Sequence, residues 1–228
     1  SLLSAAKQYD MKSINHLYTI FEQIMADNVH ACGRYELPID YKFASKFYHE
    51  NKDIFEFVKK MLIKSDTGIK DIEILDREDK EAGKIEHFPV FYFSENKDEK
   101  YLFFVEQSSG TKELYRQLGL YKIALSMGKT LVLDEFDTNL HPDLLPMLVD
   151  LFEDKKTNPY NAQMIFTTHH TEIMNRLGKY KIVLVNKEDN ESFLFRLDEI
   201  PGDMIRNDRP ITPIYNAGKI GGKPKIAL

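Results

Sequence analysis

Apolar residues recur at spacings of three and four from Met11 to Met25, through Met11, Ile14, Leu17, Tyr18, Phe21, Ile24 and Met25. That period puts them on one face of a helix, so the first predicted element is an amphipathic helix over this stretch. Phe43, Phe47, Ile54, Val58, Met61 and Leu62 repeat the pattern less tightly and predict a second helical region from about Tyr41 to Lys64. Both faces are read as core packing without chemistry. Asp66 to Lys84 is charged, with Gly68 and Gly83, and holds a short apolar run from Ile69 to Leu75 that reads as an edge strand. Phe88 to Phe93 and Tyr101 to Val105 are aromatic and β-branched, and the polar Ser94 to Lys100 between them reads as the loop of a hairpin.

Leu114, Leu118, Tyr121 and Leu125 mark a further helix, with Gly128 as its natural C-terminal stop. The rhythm then becomes strand, helix, strand, helix: Thr130 to Leu133, Pro142 to Phe152, Gln163 to Thr167 and Thr171 to Leu177. Strands follow at Ile182 to Asn186 and Ser192 to Arg196. Strands alternating with helices predict an α/β fold with a largely parallel sheet, beside a helical subdomain. From Pro201 onward prolines, glycines and basic residues mix, which predicts an irregular surface tail. Its Arg206, Arg209, Lys219, Lys223 and Lys225 are read first as a solvated loop and second as a nucleic-acid contact.

Composition changes this picture little. The 228 residues are 43% hydrophobic and 29% charged, enough for a substantial core, and no apolar run approaches the roughly 20 residues of a membrane helix. A formal net charge of -5 argues against a generally basic, nucleic-acid-coating surface. Cys32 is the only cysteine, which excludes an internal disulfide and a thiolate metal cluster and suits a reducing cytoplasm. Ser1 to Lys7 is no signal peptide, and without an initiating Met the chain is read as a fragment, with a cytoplasmic location expected.

The chemistry concentrates after Leu131-Val132-Leu133, where an aliphatic run ends in Asp134-Glu135. In open α/β sheets ligands bind beyond the carboxyl ends of the strands, so this is how a buried strand delivers carboxylates to a site. Magnesium prefers oxygen ligands and keeps several waters, so one carboxylate plus phosphate oxygens suffices to hold it, and an adjacent carboxylate can activate water. Upstream, Gln107-Ser108-Ser109-Gly110-Thr111-Lys112 opens a helix, where N-H groups and the positive dipole end favour an anion. Downstream, the next strand ends in Thr167-Thr168-His169-His170. No G-x-x-x-x-G-K-[ST] phosphate loop occurs in the 228 residues. Met127-Gly128-Lys129-Thr130 imitates its end, but Ile123 stands where the first glycine belongs, and the segment closes a helix where a phosphate loop opens one.

These three segments, in this order, resemble the ABC-type ATPases, and more closely the C-terminal half of bacterial AAA-type proteins related to RecF and SMC, many associated with phage defence or DNA repair. The resemblance covers roughly Ser1 to the tail, and Gln107 to Asn186 is its specific part. It implies an ABC-type P-loop NTPase lobe over 88–200, a helical subdomain and connecting segment over 1–87, and a tail over 201–228. It further implies that Asp134 is the Walker B aspartate of the magnesium shell and Glu135 the base that deprotonates the attacking water. His169 becomes the switch histidine at the γ-phosphate. Thr138-Asn139-Leu140-His141 fall on the D-loop, so Asn139 and His141 border the nucleotide. Ser108 and Gly110, with Ser109 and Thr111 beside them, match the signature that binds the nucleotide of the opposite protomer.

The ligands so implied are ATP and Mg2+, the assembly a homodimer glued head to tail by nucleotide, with a partner effector protein or a nucleic acid as further candidates and no membrane. The phosphate loop is expected upstream of these residues, and this chain alone is expected to be inactive. The signature departs from Leu-Ser-Gly-Gly-Gln, which disfavours a transporter subunit, and His170 stands where an acid often follows the switch histidine. Two other readings stay open: a metal-dependent nuclease built on Asp134, Glu135, Asp137, His141, His169 and His170, and a non-catalytic dimerisation module.

Overall fold

The computed structural model describes residues 24–26, 29–30, 33–34, 40–65, 67–79, 83–201, 205–206 and 209–223. The chain divides after Thr168 into two compact units.

The first unit contains the parallel sheet. Strand β1 (Ile24–Ala26) lies against β7 (Thr130–Leu133), and β7 against β8 (Gln163–Phe166), all parallel, with β7 in the middle. Ile24 and Met25 therefore end no helix, contrary to their spacing; both are strand residues paired to Thr130 and Leu131. A neighbouring strand supplies backbone partners along the whole edge, and such tertiary pairing overrides a short helical period. The rest of that predicted helix lies outside the described residues. Between β1 and the first helix, β2 (Val29–His30) and β3 (Gly33–Arg34) form a short antiparallel ladder.

The second predicted helical region is two helices, α1 (Tyr41–Glu50) and α2 (Lys52–Lys64). Asp40 caps α1 by accepting from the Lys42 N-H at 3.1 Å. Asn51 makes the break: its side-chain amide donates to the Phe47 carbonyl at 2.8 Å, while its own carbonyl accepts from Phe55. An antiparallel sheet follows, β4 (Asp71–Asp79), β5 (Lys84–Tyr92) and β6 (Tyr101–Phe103), with β5 central and β4 at an edge as predicted.

Helix α3 (Ser109–Met127) joins these helices to the parallel sheet, and its 19 residues span about 28 Å. Leu114, Tyr115, Leu118 and Tyr121 are buried on it, opposite Tyr48, Phe55, Val58 and Leu62 of α1 and α2 and Phe91 of β5. The Tyr48 hydroxyl donates to the Tyr115 carbonyl at 2.7 Å and accepts from the Gly119 N-H at 3.2 Å, bridging two groups that an α-helix ordinarily pairs with each other. Gly119 is required there, because a Cβ would stand 2.7 Å from the Tyr48 ring. Tyr48→Phe is expected to lower unfolding free energy by about 1–3 kcal/mol by removing a buried hydroxyl from two partners; a urea midpoint within error of the parent would count against that role. At its far end α3 stops on Gly128, left-handed at φ 63, where a Cβ would meet the Tyr160 carbonyl oxygen at 2.7 Å. Lys129 then leads straight into β7. Helix α4 (Leu144–Glu153) connects β7 to β8 and buries Leu145, Leu148, Val149 and Leu151.

The second unit holds α5 (Ile173–Leu177), the antiparallel pair β9 (Val183–Glu188) and β10 (Glu191–Arg196), and α6 (Thr212–Asn216). Asp189 and Asn190, both at positive φ, make the two-residue turn of that hairpin. The tail departs from the surface segment its composition predicts. Ile205, Ile211 and Ile220 join Met174, Ile182, Leu184 and Leu197 in one buried cluster. The Asn175 side-chain oxygen accepts from the Ile211 and Thr212 N-H groups at 2.7 and 3.1 Å. Tyr215 donates to the Gly222 carbonyl at 2.8 Å. Ile205, Ile211 and Ile220 are too far apart for a periodic signal, yet each of the three is buried.

Candidate active site

The site is built at the carboxyl end of β7. Leu131 and Leu133 are only 0% and 2% exposed, and Phe136 just beyond only 1%, so apolar anchors grip the chain on both sides of Asp134-Glu135. The Phe136 ring centroid lies 4.2 Å from that of Phe166, at the end of β8. The acids themselves are half-buried.

Register determines what stands beside them. Leu133 pairs with Phe166, which places Asp134 next to Thr167 on the neighbouring strand end. The Thr167 hydroxyl donates to Asp134 Oδ1 at 2.5 Å and accepts from the Glu135 N-H at 2.7 Å. Its backbone continues the ladder, donating to the Leu133 carbonyl at 3.1 Å and accepting from the Phe136 N-H at 3.2 Å. One threonine thus fastens both acidic residues to β8. Sequence reasoning missed it; the available signal was a hydroxyl residue closing the strand that follows the acids.

Glu135 sits at φ 47, and among the described residues it is the only one at positive φ that is neither glycine, asparagine nor aspartate. A long side chain costs free energy there, so the surroundings impose the conformation, and such strain gathers at functional sites. The Glu135 carbonyl accepts from Thr138, and Leu140 donates to Asp137, so the chain turns tightly after the acids. Asp137 is buried, with 7% of its surface exposed. Asn139 is exposed and also left-handed, at φ 66. His141 is exposed, its Nδ1 accepting from the Asp143 N-H at 3.3 Å.

Ser108 is the N-cap of α3: its hydroxyl accepts from the Thr111 N-H at 3.2 Å and lies 2.9 Å from the Thr111 hydroxyl, and Thr111 is buried. Those two side chains satisfy each other, while Ser109 is exposed in the first turn. Gly110 approaches the loop after the acids so closely that a Cβ would stand 2.8 Å from the Asn139 carbonyl oxygen. The structure therefore brings together Ser108 to Thr111 with Asn139, and Asp134 and Glu135 with Thr167. His169 and His170 open the second unit, two and three positions past Thr167 along the chain, with His169 exposed and His170 half-buried.

This set of oxygen donors suits magnesium: a half-buried carboxylate at a strand end, oriented by a hydroxyl through one oxygen, is the hard ligand such an ion takes. Thr167→Val keeps the shape and removes both hydrogen bonds; in a polypeptide that also includes a phosphate loop it is expected to lower magnesium-dependent ATP turnover by about 10- to 100-fold, as loss of a ligand-orienting partner does. Turnover equal to the parent's would show that the clasp is dispensable.

The chain is an α/β protein with a parallel sheet that ends in paired acids. It belongs to the family described as "AAA domain, putative AbiEii toxin, Type IV TA system", whose model matches residues 17–175, a stretch that includes the helix start at Ser109, the acid pair and both histidines. Membership makes it an ATPase-type domain, in a family for which nucleotide is the ligand. No curated protein sequence matches it. Among solved structures, one from work on ATP-driven dimerization and DNA-stimulated activation of SMC ATPases superposes with a TM-score of 0.47 at 17% identity, over 67% of this chain and 88% of that one. The SMC head with an extended coiled coil bound to the C-terminal domain of ScpA, from Pyrococcus furiosus, gives 0.47 at 15% identity over 69% of this chain and 38% of its own. An SMC head bound to the C-terminal winged-helix domain of ScpA gives 0.46 at 16%, over 72% and 52%. The chain spans about two fifths and half of those last two. Among the described residues no helix is long and apolar enough to cross a membrane.

Proposed function

We propose that this chain supplies the signature, Walker B and switch elements of an ABC-type ATPase whose nucleotide is sandwiched between two head-to-tail protomers. The observation that carries the reading is the acid pair at the end of the central parallel strand, clasped by Thr167 and with Glu135 held left-handed. Asp134 would hold the magnesium shell, and the ion when bound would offset charge on the phosphate oxygens. Glu135 would take the proton from the attacking water at its carboxylate, and His169 would contact the γ-phosphate. Ser108, Ser109, Gly110 and Thr111, with Asn139 and His141 beyond the acid pair, would face the nucleotide held by the opposite protomer. The close approach of Gly110 to Asn139 supports this part, because it couples the signature turn mechanically to the D-loop.

No phosphate loop of the G-x-x-x-x-G-K-[ST] type occurs in these 228 residues, so in this reading the phosphate cradle comes from polypeptide outside them. Strand β8 has only β7 as a partner among the described residues, which leaves an edge on which a further parallel strand would add. The 228 residues alone should then hydrolyse ATP negligibly, since positioning dominates phosphoryl transfer. A polypeptide that includes the loop should form nucleotide-dependent dimers, measured as a doubling of mass in sedimentation with ATP and magnesium. Robust turnover by the 228 residues, or a mass indifferent to nucleotide, would overturn the arrangement. The process served is proposed to be of the phage-defence or DNA-repair type, with a partner effector protein or a nucleic acid as trigger; the family description, which names a toxin, supports the former. The nuclease reading, on Asp134, Glu135, Asp137, His141, His169 and His170, is the alternative: cleavage with manganese and no nucleotide, abolished by Asp137→Ala, would favour it.

A further inference from the structure

We propose that His49, Asp76 and His87 form a binding site for a borderline divalent transition-metal ion, zinc above all, which ties the last turn of α1 to the β4 and β5 strands. None of these residues belongs to the segments that carry the acid pair. Their ligand atoms all lie within 4.8 Å of one another. Asp76 and His87 are directly opposite across the β4–β5 ladder, and His87 Nδ1 stands 2.8 Å from Asp76 Oδ1. His49 comes from a third element, and its Nδ1 faces the same carboxylate oxygen at 3.8 Å, beyond hydrogen-bond range.

An ordinary aspartate-histidine hydrogen bond accounts for His87 but not for His49. The His49 Nδ1 atom is buried and has no hydrogen-bond partner among the described residues, which is costly for a polar nitrogen unless something else satisfies it. The two imidazoles stack with centroids 4.3 Å apart and planes 26° from parallel, so their Nδ1 atoms reach one carboxylate from neighbouring layers. Zinc bonds of about 2.0–2.1 Å set tetrahedral ligand atoms about 3.3 Å apart, and the observed 2.8 and 3.8 Å lie on either side of that separation. Binding would turn the two rings, now 26° from parallel, relative to each other so that the plane of each contains the ion.

Charge and ligand type agree. His49 lies in the last turn of α1, where the helix dipole favours a cation. The nearby cations Lys42 and Arg77 are both engaged by Glu86, at 2.6 and 2.9 Å, so their charge is locally compensated. Two imidazoles and one carboxylate suit zinc, cobalt or nickel, whereas magnesium prefers an all-oxygen shell, so the ion of the ATP site would not compete. The Asp76 side chain is 51% exposed and that of His87 14%, so the fourth position opens to water. Binding would cross-link three elements that sequence separates by up to 38 positions, from 49 to 87.

The test uses the 228-residue chain stripped with a chelator and titrated with zinc chloride by calorimetry, alongside nitrogen-resolved imidazole spectra. One zinc per chain is expected, with His49→Ala and His87→Ala each weakening it at least tenfold and millimolar magnesium leaving it unchanged. In the parent chain, the Nδ1 resonances of His49 and His87 should shift together on zinc addition, a readout that needs no variant to fold. Cobalt should give the visible absorption of a tetrahedral site. Absence of binding, affinity unchanged in both variants, or shifts confined to other histidines would overturn the proposal.

Discussion

Glu135→Gln is expected to cut ATP turnover by about 10²–10⁴-fold, or about 2.7–5.4 kcal/mol of barrier, in a polypeptide that includes the phosphate loop. Glutamine matches glutamate in size and tolerates the left-handed backbone equally, so the turn and the Glu135 N-H bond to Thr167 should persist. What disappears is the proton acceptor. ATP affinity should therefore change little, and nucleotide-bound dimers should accumulate because release depends on hydrolysis. The measurement is steady-state phosphate release with ATP affinity determined in parallel. Undiminished turnover would remove Glu135 from its role, whereas lost affinity with lost turnover would mean that the residue shapes the site instead of performing its chemistry.

Phe136→Ala is expected to cost about 3–5 kcal/mol of stability, a large share of the roughly 5–15 kcal/mol typical of a domain. Phe136 is 1% exposed, packs its ring at a tilt against Phe166 and donates its N-H to the Thr167 carbonyl at 3.2 Å, so it holds the turn after the acids against β8. An alanine leaves a cavity between the two strand ends, and the acid pair loses the anchor on its C-terminal side. Urea unfolding of the variant, compared with Phe193→Ala at a 44% exposed position, checks this. The exposed substitution should stay within about 0.5 kcal/mol of the parent. A Phe136→Ala loss below 1 kcal/mol would show that the turn is secured otherwise.

The legible parts of the fold were those with local causes. Thr130–Leu133 is a strand with the predicted bounds because a short buried strand is a continuous apolar run, and α3 ends at Gly128 because glycine accepts the left-handed cap. The placement of the acid pair at a strand end was legible for the same reason, since the apolar run stops directly before Asp134 and Glu135. Other parts had distant causes. The split at Asn51 depends on a side-chain amide reaching back to Phe47, and the strand at Ile24–Ala26 depends on β7 being its neighbour. Ile205, Ile211 and Ile220 give no period, yet they meet in one cluster with residues from α5 and β9.

Residue types in order were enough to establish an α/β chain, an aliphatic strand delivering Asp134 and Glu135, and a capped helix start at Ser108, because propensity, capping and burial act within a few residues. Tertiary structure alone decided that Thr167 clasps both acids, that Glu135 is forced left-handed, and that His49 and His87 converge on Asp76. The physical reason is separation: the Thr167 bonds join residues 32 and 33 positions apart. Such contacts depend on strand register and on which element packs beside which, and neither quantity is written in any local period of the chain.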